Sequence, residues 1–286
     1  MRVEVAYTAD DYLGEGPIWV AAENTIFWVD SFGPCIKSLC LNNSEFRCWD
    51  MPSPIGSFAM RGDKKAVVAL QDGLHFFNFV SHELSPICEP ELGLNTRFND
   101  GKCDRKGRFW TGTIDLDLKF PIGSLYRLDT NLQCHKVKPG MIIPNGLGWS
   151  PDDRTMYVTD TALKIVYAYD YDLDTGEINQ ERIFLRDEDA FPDGLTVDAE
   201  GYVWSVKWND WKVIRYSPDG ETDLIIDMPV QRPTGCCFGG PDHNLLYVAS
   251  TVKGLSKEEL AEQPLAGSLF VIETNTRGQI EEGFGG

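Results

Sequence analysis

From Gly146 onward, apolar and polar positions alternate in short runs separated by clusters of Gly, Asp and Pro. "GLGWS" reads as a strand, "PDDR" as a turn, "TMYVTD" as a second strand and "IVYAYDYD" as a third. "LDTGEIN" then turns the chain into a fourth strand, "ERIFL". Alternation, β-branched and aromatic content and turn punctuation all agree on strands. The next stretch has the same order: "GLTVD", "YVWSVKW" and "KVIRYS", with "SPDG" turning into "TDLIID".

The unit recurs along the chain. "GEGPIWVAAENTIFWVD", "NDGKCDRKGRFWTGT", "PNGLGWSPDDRTMYVTD" and "PDGLTVDAEGYVWSV" are four copies, and weaker ones start at Ile55 and Thr234. The anchoring glycines Gly16, Gly56, Gly101, Gly146, Gly194 and Gly235 are 40, 45, 45, 48 and 41 residues apart. A period of about 40 to 50 residues with several strands per unit is the mark of propeller blades. The last copy has three strands and a tail with no fourth, while "VEVAYTA" is a spare strand before the first. The expectation is an all-β, six-bladed β-propeller, one domain over residues 1–286, closed by the N-terminal strand pairing into the last blade. Closure of this kind removes exposed sheet edges. Two longer insertions, Asp115–Gly123 and Val252–Gly267, fall between second and third strands. The second holds Ser256 and Glu259 at S-x-x-E spacing, which predicts a capped short helix.

Composition changes the picture mainly by exclusion. With 44 acidic against 26 basic residues the formal charge is −18, which argues against nucleic acid or an anionic membrane as partner. No run approaches the ~18 apolar residues of a membrane span, and the first residues show no apolar leader core. Eight cysteines and four histidines are scattered without C-x-x-C or H-x-x-x-H spacing. A Cys/His zinc site is therefore not expected, and reduced thiols with no export signal predict a cytoplasmic protein.

The chemistry sits before the repeat glycines. A propeller's first strand lines its central channel, so equivalent residues at the start of that strand form a ring at one mouth. In order they are Glu15, Ile55, Asp100, Asn145, Asp193 and Thr234. Asp-Gly and Asn-Gly are ordinary turn pairs, and one copy alone would mean no more than a turn. Four carboxylate or amide side chains at homologous places, with a hydroxyl at a fifth, point instead to a cation, because clustered carboxylates repel unless a positive charge joins them. Glu15 is a poor turn former, which sharpens the point.

The motifs "GEGPIW", "RFNDGKCDRKGRFWTGT", "IPNGLGWSPD", "YVTD", "FPDGLTVDAEGYVW" and "LAGSLFVIETNTRG" together resemble the regucalcin/gluconolactonase family, also called senescence-marker-protein or SGL-like. The resemblance runs over nearly the whole chain. It implies a six-bladed propeller with one divalent cation, and hydrolysis of a sugar-acid lactone to the open acid. The alternative it carries is a non-catalytic calcium-binding regulatory propeller. It implies Glu15, Asn145 and Asp193 as metal ligands, Asp193 also as catalytic base, and Arg97 and Asn99 as substrate contacts, with Asn99 a further candidate for the metal shell. Spacing alone points to Asp100 rather than Asn99; a one-residue bulge in that loop would exchange them. The chain departs from many relatives at Gly148, where they carry Asp, and this reads as altered channel packing.

Two carboxylates and an amide suit Ca2+, Mg2+ or Mn2+, with Zn2+ also compatible. A carboxylate beside a cation is a weak base, so the ligand role of Asp193 is the firmer of its two. If the first strand starts at the metal mouth, loops between second and third strands share that face. Asp117 then becomes a hydroxyl acceptor opposite Arg97, and Trp208 and Trp211 line the rim. The partner expected is a small, uncharged sugar lactone.

Overall fold

The structure, a computed structural model, describes residues 1–286. It contains 24 strands in six four-stranded sheets, the blades of a β-propeller. Every adjacent pair is antiparallel, and the last sheet has the order β1-β24-β23-β22. The N-terminal strand β1 (Val3–Tyr7) thus supplies the outer strand of the last blade, beside β24 (Leu269–Glu273). The capping box at Ser256 is present and starts α1 (Lys257–Glu262). No helix is long and apolar enough to cross a membrane.

One sequence boundary differs. The third blade-four strand ends at Asp172 and the fourth already begins at Glu177, running to Arg186. Gly176, at φ 69°, closes the turn within four residues, so "EIN" joins the strand.

The chain forms two compact units. The first comprises Met1–Asp50 and Asp187–Ile280, and holds the blade with β2 (Gly14–Val20) and β3 (Thr25–Asp30), the blade with β18 (Phe191–Val197) and β19 (Val203–Trp208), and the last blade with β22 (Pro233–Gly239) and β23 (Leu245–Ser250). The second comprises Met51–Arg186 and Glu281–Gly286. Its blades start with β6 (Ile55–Met60), β10 (Thr96–Cys103) and β14 (Pro144–Trp149). Within each unit, apolar faces of neighbouring blades close on one another. Trp204, Val206 and Val213 meet Phe238, Leu246 and Phe270 in the first unit, and Val67 and Ala59 meet Phe98, Phe109 and Tyr126 in the second. Each such fully buried large apolar side chain contributes about 1.5–3 kcal/mol.

Two blades share a tie between turn and core. Asp104 accepts the backbone N–H groups of Lys106 and Arg108 and the indole N–H of Trp110 at 2.9 Å. Asp198 does the same for Glu200, Tyr202 and Trp204. The pattern D-x-x-G-x-x-W therefore fixes the hairpin between first and second strands and seats a buried tryptophan.

All six innermost strands carry a register shift close to their start, where one extra residue is inserted opposite the second strand. In blade three it falls between Phe98 and Gly101, at Asn99–Asp100. Bulges of this kind bend a strand and re-aim its side chains. Neighbouring innermost strands also come very close here. A Cβ on Gly56 would lie 2.4 Å from the Asn99 carbonyl oxygen, and one on Gly194 would lie 2.6 Å from the Cα of Gly235. Gly56→Ala is expected to lower stability by about 1–3 kcal/mol through overpacking against backbone and to displace Asn99. Urea denaturation of the variant, at the m-value of the parent, measures it.

Candidate active site

In the second unit the site is built from β10, β14 and the loop after β15 (Thr155–Asp160). The bulge turns Asn99, not Asp100, toward Asn145. Asn99 Nδ2 donates to Asn145 Oδ1 at 2.7 Å and to the Pro144 carbonyl at 3.1 Å. Its own Oδ1 accepts from Arg97 Nη1 at 3.0 Å, and the same nitrogen donates to the Phe98 carbonyl at 2.8 Å. Asn145 Nδ2 in turn donates to Thr161 Oγ1 at 2.9 Å. The row Thr161–Asn145–Asn99–Arg97 thus fixes which end of each amide is oxygen. Asn145 presents Oδ1 as the acceptor side, whereas the oxygen of Asn99 is held by Arg97. In this arrangement Asn99 orients Asn145. Asp100 accepts from the Gly101 N–H at 2.8 Å; burial pushes its carboxyl pKa up, against the pull of Lys102 and the Gly101 N–H.

In the first unit, Glu15 pairs with Val29 directly before its bulge, and Asp193 lies inside its own. Asp193 is only 3% exposed. The two strands flank Gly235, whose missing side chain matters. A Cβ there would sit 3.1 Å from Pro17 Cδ, 3.3 Å from Gly16 N and 3.9 Å from Glu15 Oε2, and a Cβ on Gly194 would lie 2.6 Å from Gly235 Cα on the other side. Thr234, the hydroxyl member of the expected ring, donates to the Gly14 carbonyl at 2.5 Å. Ile55 is an apolar wall.

Carboxylates at the ends of second strands hold the approach loops. Asp30 accepts from the Tyr12 and Leu13 N–H groups at 2.9 and 3.0 Å, just ahead of Glu15. Asp160 accepts from Ile142 and Ile143 at 2.9 and 3.2 Å, just ahead of Asn145. At the corresponding place before Asp193 stands Trp208, paired with Phe191. There Asp187 takes over, accepting from the Ala190 N–H at 2.9 Å and pairing with Lys207 Nζ at 3.0 Å. Lys207 is fully buried and is the cross-strand neighbour of Pro192. Burial lowers the Lys207 pKa, with Asp187 opposing. Burial alone would raise Asp187, but the Lys207 charge and the Ala190 N–H hold it below the ordinary carboxylate value. Neither Lys207 nor Thr161 stood out in the sequence, since neither belongs to a motif before a repeat glycine.

The loops between second and third strands lie at the starting end of the first strand, as the antiparallel registers require. Thr96 pairs with Asp115, and Asp117 accepts from Asn95 Nδ2 at 3.2 Å. Trp208 is half-buried, with the Arg232 guanidinium 5.4 Å from its ring centroid. Trp211 is 39% exposed. The 252–267 insertion is tied to the start of β2's approach loop through Val252 N to Asp11 O and Lys253 N to Tyr12 O.

The first unit carries the carboxylates Glu15 and Asp193 and the second the oriented amide of Asn145; oxygen donors of these kinds suit a hard divalent cation.

Residues 13–252 match the family model described as the SMP-30/Gluconolactonase/LRE-like region. The chain belongs to this family. Family relatives include an L-arabinolactonase of Azospirillum brasilense, 36% identical over 281 residues and spanning 96% of this chain and 92% of that protein. A 6-deoxy-6-sulfogluconolactonase of Pseudomonas putida is 32% identical over 277 residues, covering 96% and 95%. The zebrafish (Danio rerio) regucalcin is 31% identical over 277 residues, covering 95% and 94%. Among solved structures, a calcium-binding protein, regucalcin, from Agrobacterium tumefaciens superposes with a TM-score of 0.93 at 27% identity, covering 98% and 97% of the two chains.

Asp187→Ala leaves the Lys207 charge buried without its carboxylate and is expected to destabilise by about 3–5 kcal/mol. The double variant with Lys207→Met should recover most of that loss in urea denaturation. Because the folded pKa of Asp187 is depressed, its contribution is present above the unfolded value of ~3.9 and fades as pH falls through the folded one.

Proposed function

We propose that the protein is a sugar-acid lactone hydrolase that uses one divalent cation held by Glu15, Asn145 and Asp193. The observation that carries the reading is the oriented amide row in the second unit, in which Asn145 Oδ1 faces Asn99 Nδ2 and the buried Arg97 guanidinium holds the far end of Asn99. Glu15 and Asp193, flanking Gly235 in the first unit, add the two negative charges such an ion needs.

When bound, the cation supplies positive charge that polarises the lactone carbonyl and eases ionisation of water. Arg97 and Asn99 orient the substrate through its hydroxyl oxygens, Arg97 as a planar donor. Asp193 accepts a proton from the attacking water as its oxygen adds to the carbonyl carbon. The ring C–O bond then breaks, and the same proton passes from Asp193 to the departing alkoxide. The product is the open hydroxy acid. Asp117, at the same end of β10, accepts a hydrogen bond from a sugar hydroxyl, and Trp208 offers a flat apolar face to its C–H side. The family relatives named as lactonases support the reaction class, and the calcium-binding Agrobacterium neighbour supports a cation. That same neighbour also favours a second reading, a calcium-binding protein without turnover.

A pH-stat assay on gluconolactone and pentonolactones, with chelator and with each cation restored, separates the two. Turnover that chelation removes and a divalent cation restores supports the hydrolase. Tight calcium binding with no turnover supports the second reading. Glu15→Ala and Asp193→Ala are expected to abolish turnover and weaken cation binding while the circular dichroism spectrum is kept. Asn145→Ala removes no charge and should be milder. Arg97→Ala should chiefly raise KM and leave cation affinity in place; unchanged kinetics would assign Arg97 to structure alone.

A further inference from the structure

The second unit contains a cavity of about 300 Å3 that no residue of the proposed reaction fills. It lies between the turn joining β7 (Lys65–Leu70) to β8 (Leu74–Asn78), the loop following β9 (Leu84–Cys88), and the first residues of β10. Its size is at the lower end of ligand sites. Its wall is mixed: Gln71, Asp72, Glu91 and Asn95 are polar, while Leu92 and Leu94 are apolar and, at 80% and 53% exposure, open to solvent. Arg97 belongs to the same wall. Through Arg97, Asn99 and Asn145 the cavity is joined by two hydrogen bonds, of 3.0 and 2.7 Å, to the proposed cation ligand.

We propose that this cavity is the subsite for the exocyclic hydroxylated chain of the substrate, and that it selects an uncharged lactone over one bearing a phosphate or sulfonate. The inference rests on the hydrolase reading above. Polar groups interleaved with leucine side chains match a polyol, which offers hydroxyls and C–H surface in alternation. The charge pattern argues against an anion. Arg97 is the one cation of the wall, and its Nη1 is already committed to the Phe98 carbonyl and Asn99. Against it stand two carboxylates. Asp72 lies 3.3 Å from His75 Nε2. Glu91 accepts from the Tyr126 hydroxyl at 2.8 Å and faces Lys136, which is outside the wall, at 3.4 Å. An anionic substituent entering would meet like charge from two carboxylates and give up its hydration with a single guanidinium to receive it.

The test compares kcat/KM for D-glucono-1,5-lactone and its 6-phosphate in the cation-loaded wild-type protein and in the Gln71→Ala and Asp72→Lys variants. Calcium affinity is followed in parallel. Both positions are on a surface turn, so folding is not at risk. The wild type should prefer the uncharged lactone. Asp72→Lys should shift the preference toward the phosphate by about tenfold or more, as reversal of one nearby charge at a partly screened site warrants. Gln71→Ala should raise KM for the uncharged lactone with kcat and calcium affinity kept. A preference unchanged in both variants, or a wild type that prefers the phosphate, overturns the subsite. If the wild type hydrolyses no lactone, the hydrolase reading fails separately. Sorbitol binding, read by chemical-shift titration, then decides the cavity: weakened by Gln71→Ala it stands, and absent or unaltered it falls.

Discussion

The site depends on how closely the innermost strands approach one another at their starting ends. Four-stranded blades leave little room there, and the chain answers with a bulge in every first strand and with glycine where backbones touch. The bulge has a chemical result as well as a steric one. It breaks the strict inward–outward alternation of a strand, so a polar side chain leaves the ladder at the point where it is needed. Glycine at 235 leaves room for Pro17 and the Gly16 backbone that follow Glu15. Backbone crowding and side-chain function are therefore solved by the same few residues.

Ordering of the site begins behind it. Asp30 and Asp160 hold backbone N–H groups immediately before Glu15 and Asn145, and the Asp187–Lys207 pair does so before Asp193. Carboxylate acceptors make strong hydrogen bonds to N–H groups, which restrains the loops before any ligand arrives. The amide row from Thr161 to Arg97 extends the restraint to side chains. An amide whose two ends are both bonded cannot rotate to offer nitrogen in place of oxygen.

Much of this was readable in the residues. Strand alternation, the repeat glycines and the spare N-terminal strand lead directly to the six blades, because each is a local signal repeated at a regular interval. The ring position that Glu15, Asn145 and Asp193 share is readable through that repetition, whereas singling these three out as ligands is what the family resemblance implies. The choice between Asn99 and Asp100 was not settled by spacing, since a bulge shifts the register by one residue and leaves no mark in the pattern. Lys207 looked like an ordinary polar position of an alternating strand; its partner Asp187 is twenty residues away and only the fold brings them together. The D-x-x-G-x-x-W tie was present in both "DRKGRFW" and "DAEGYVW", and its role follows from the indole contact. The cavity beside Arg97 is formed by a turn and a loop whose sequences carry no repeat signal at all.

The closing strand has a consequence for how the molecule comes into being. Val3 pairs with Ile272, 269 positions later, so the last sheet cannot be finished until β24 has been made. Loop-closure entropy grows only logarithmically with length, which makes the delay more a matter of timing than of energy. Chains are made from the N-terminus, and the three blades between Met51 and Arg186 are complete in sequence well before the final strand emerges. The first strand must meanwhile wait unpaired. Its exposed Glu4 beside Arg2 gives it the charged character that discourages a solitary strand from pairing with a stranger. Of the 24 strands, the first to be made is thus among the last to find its place.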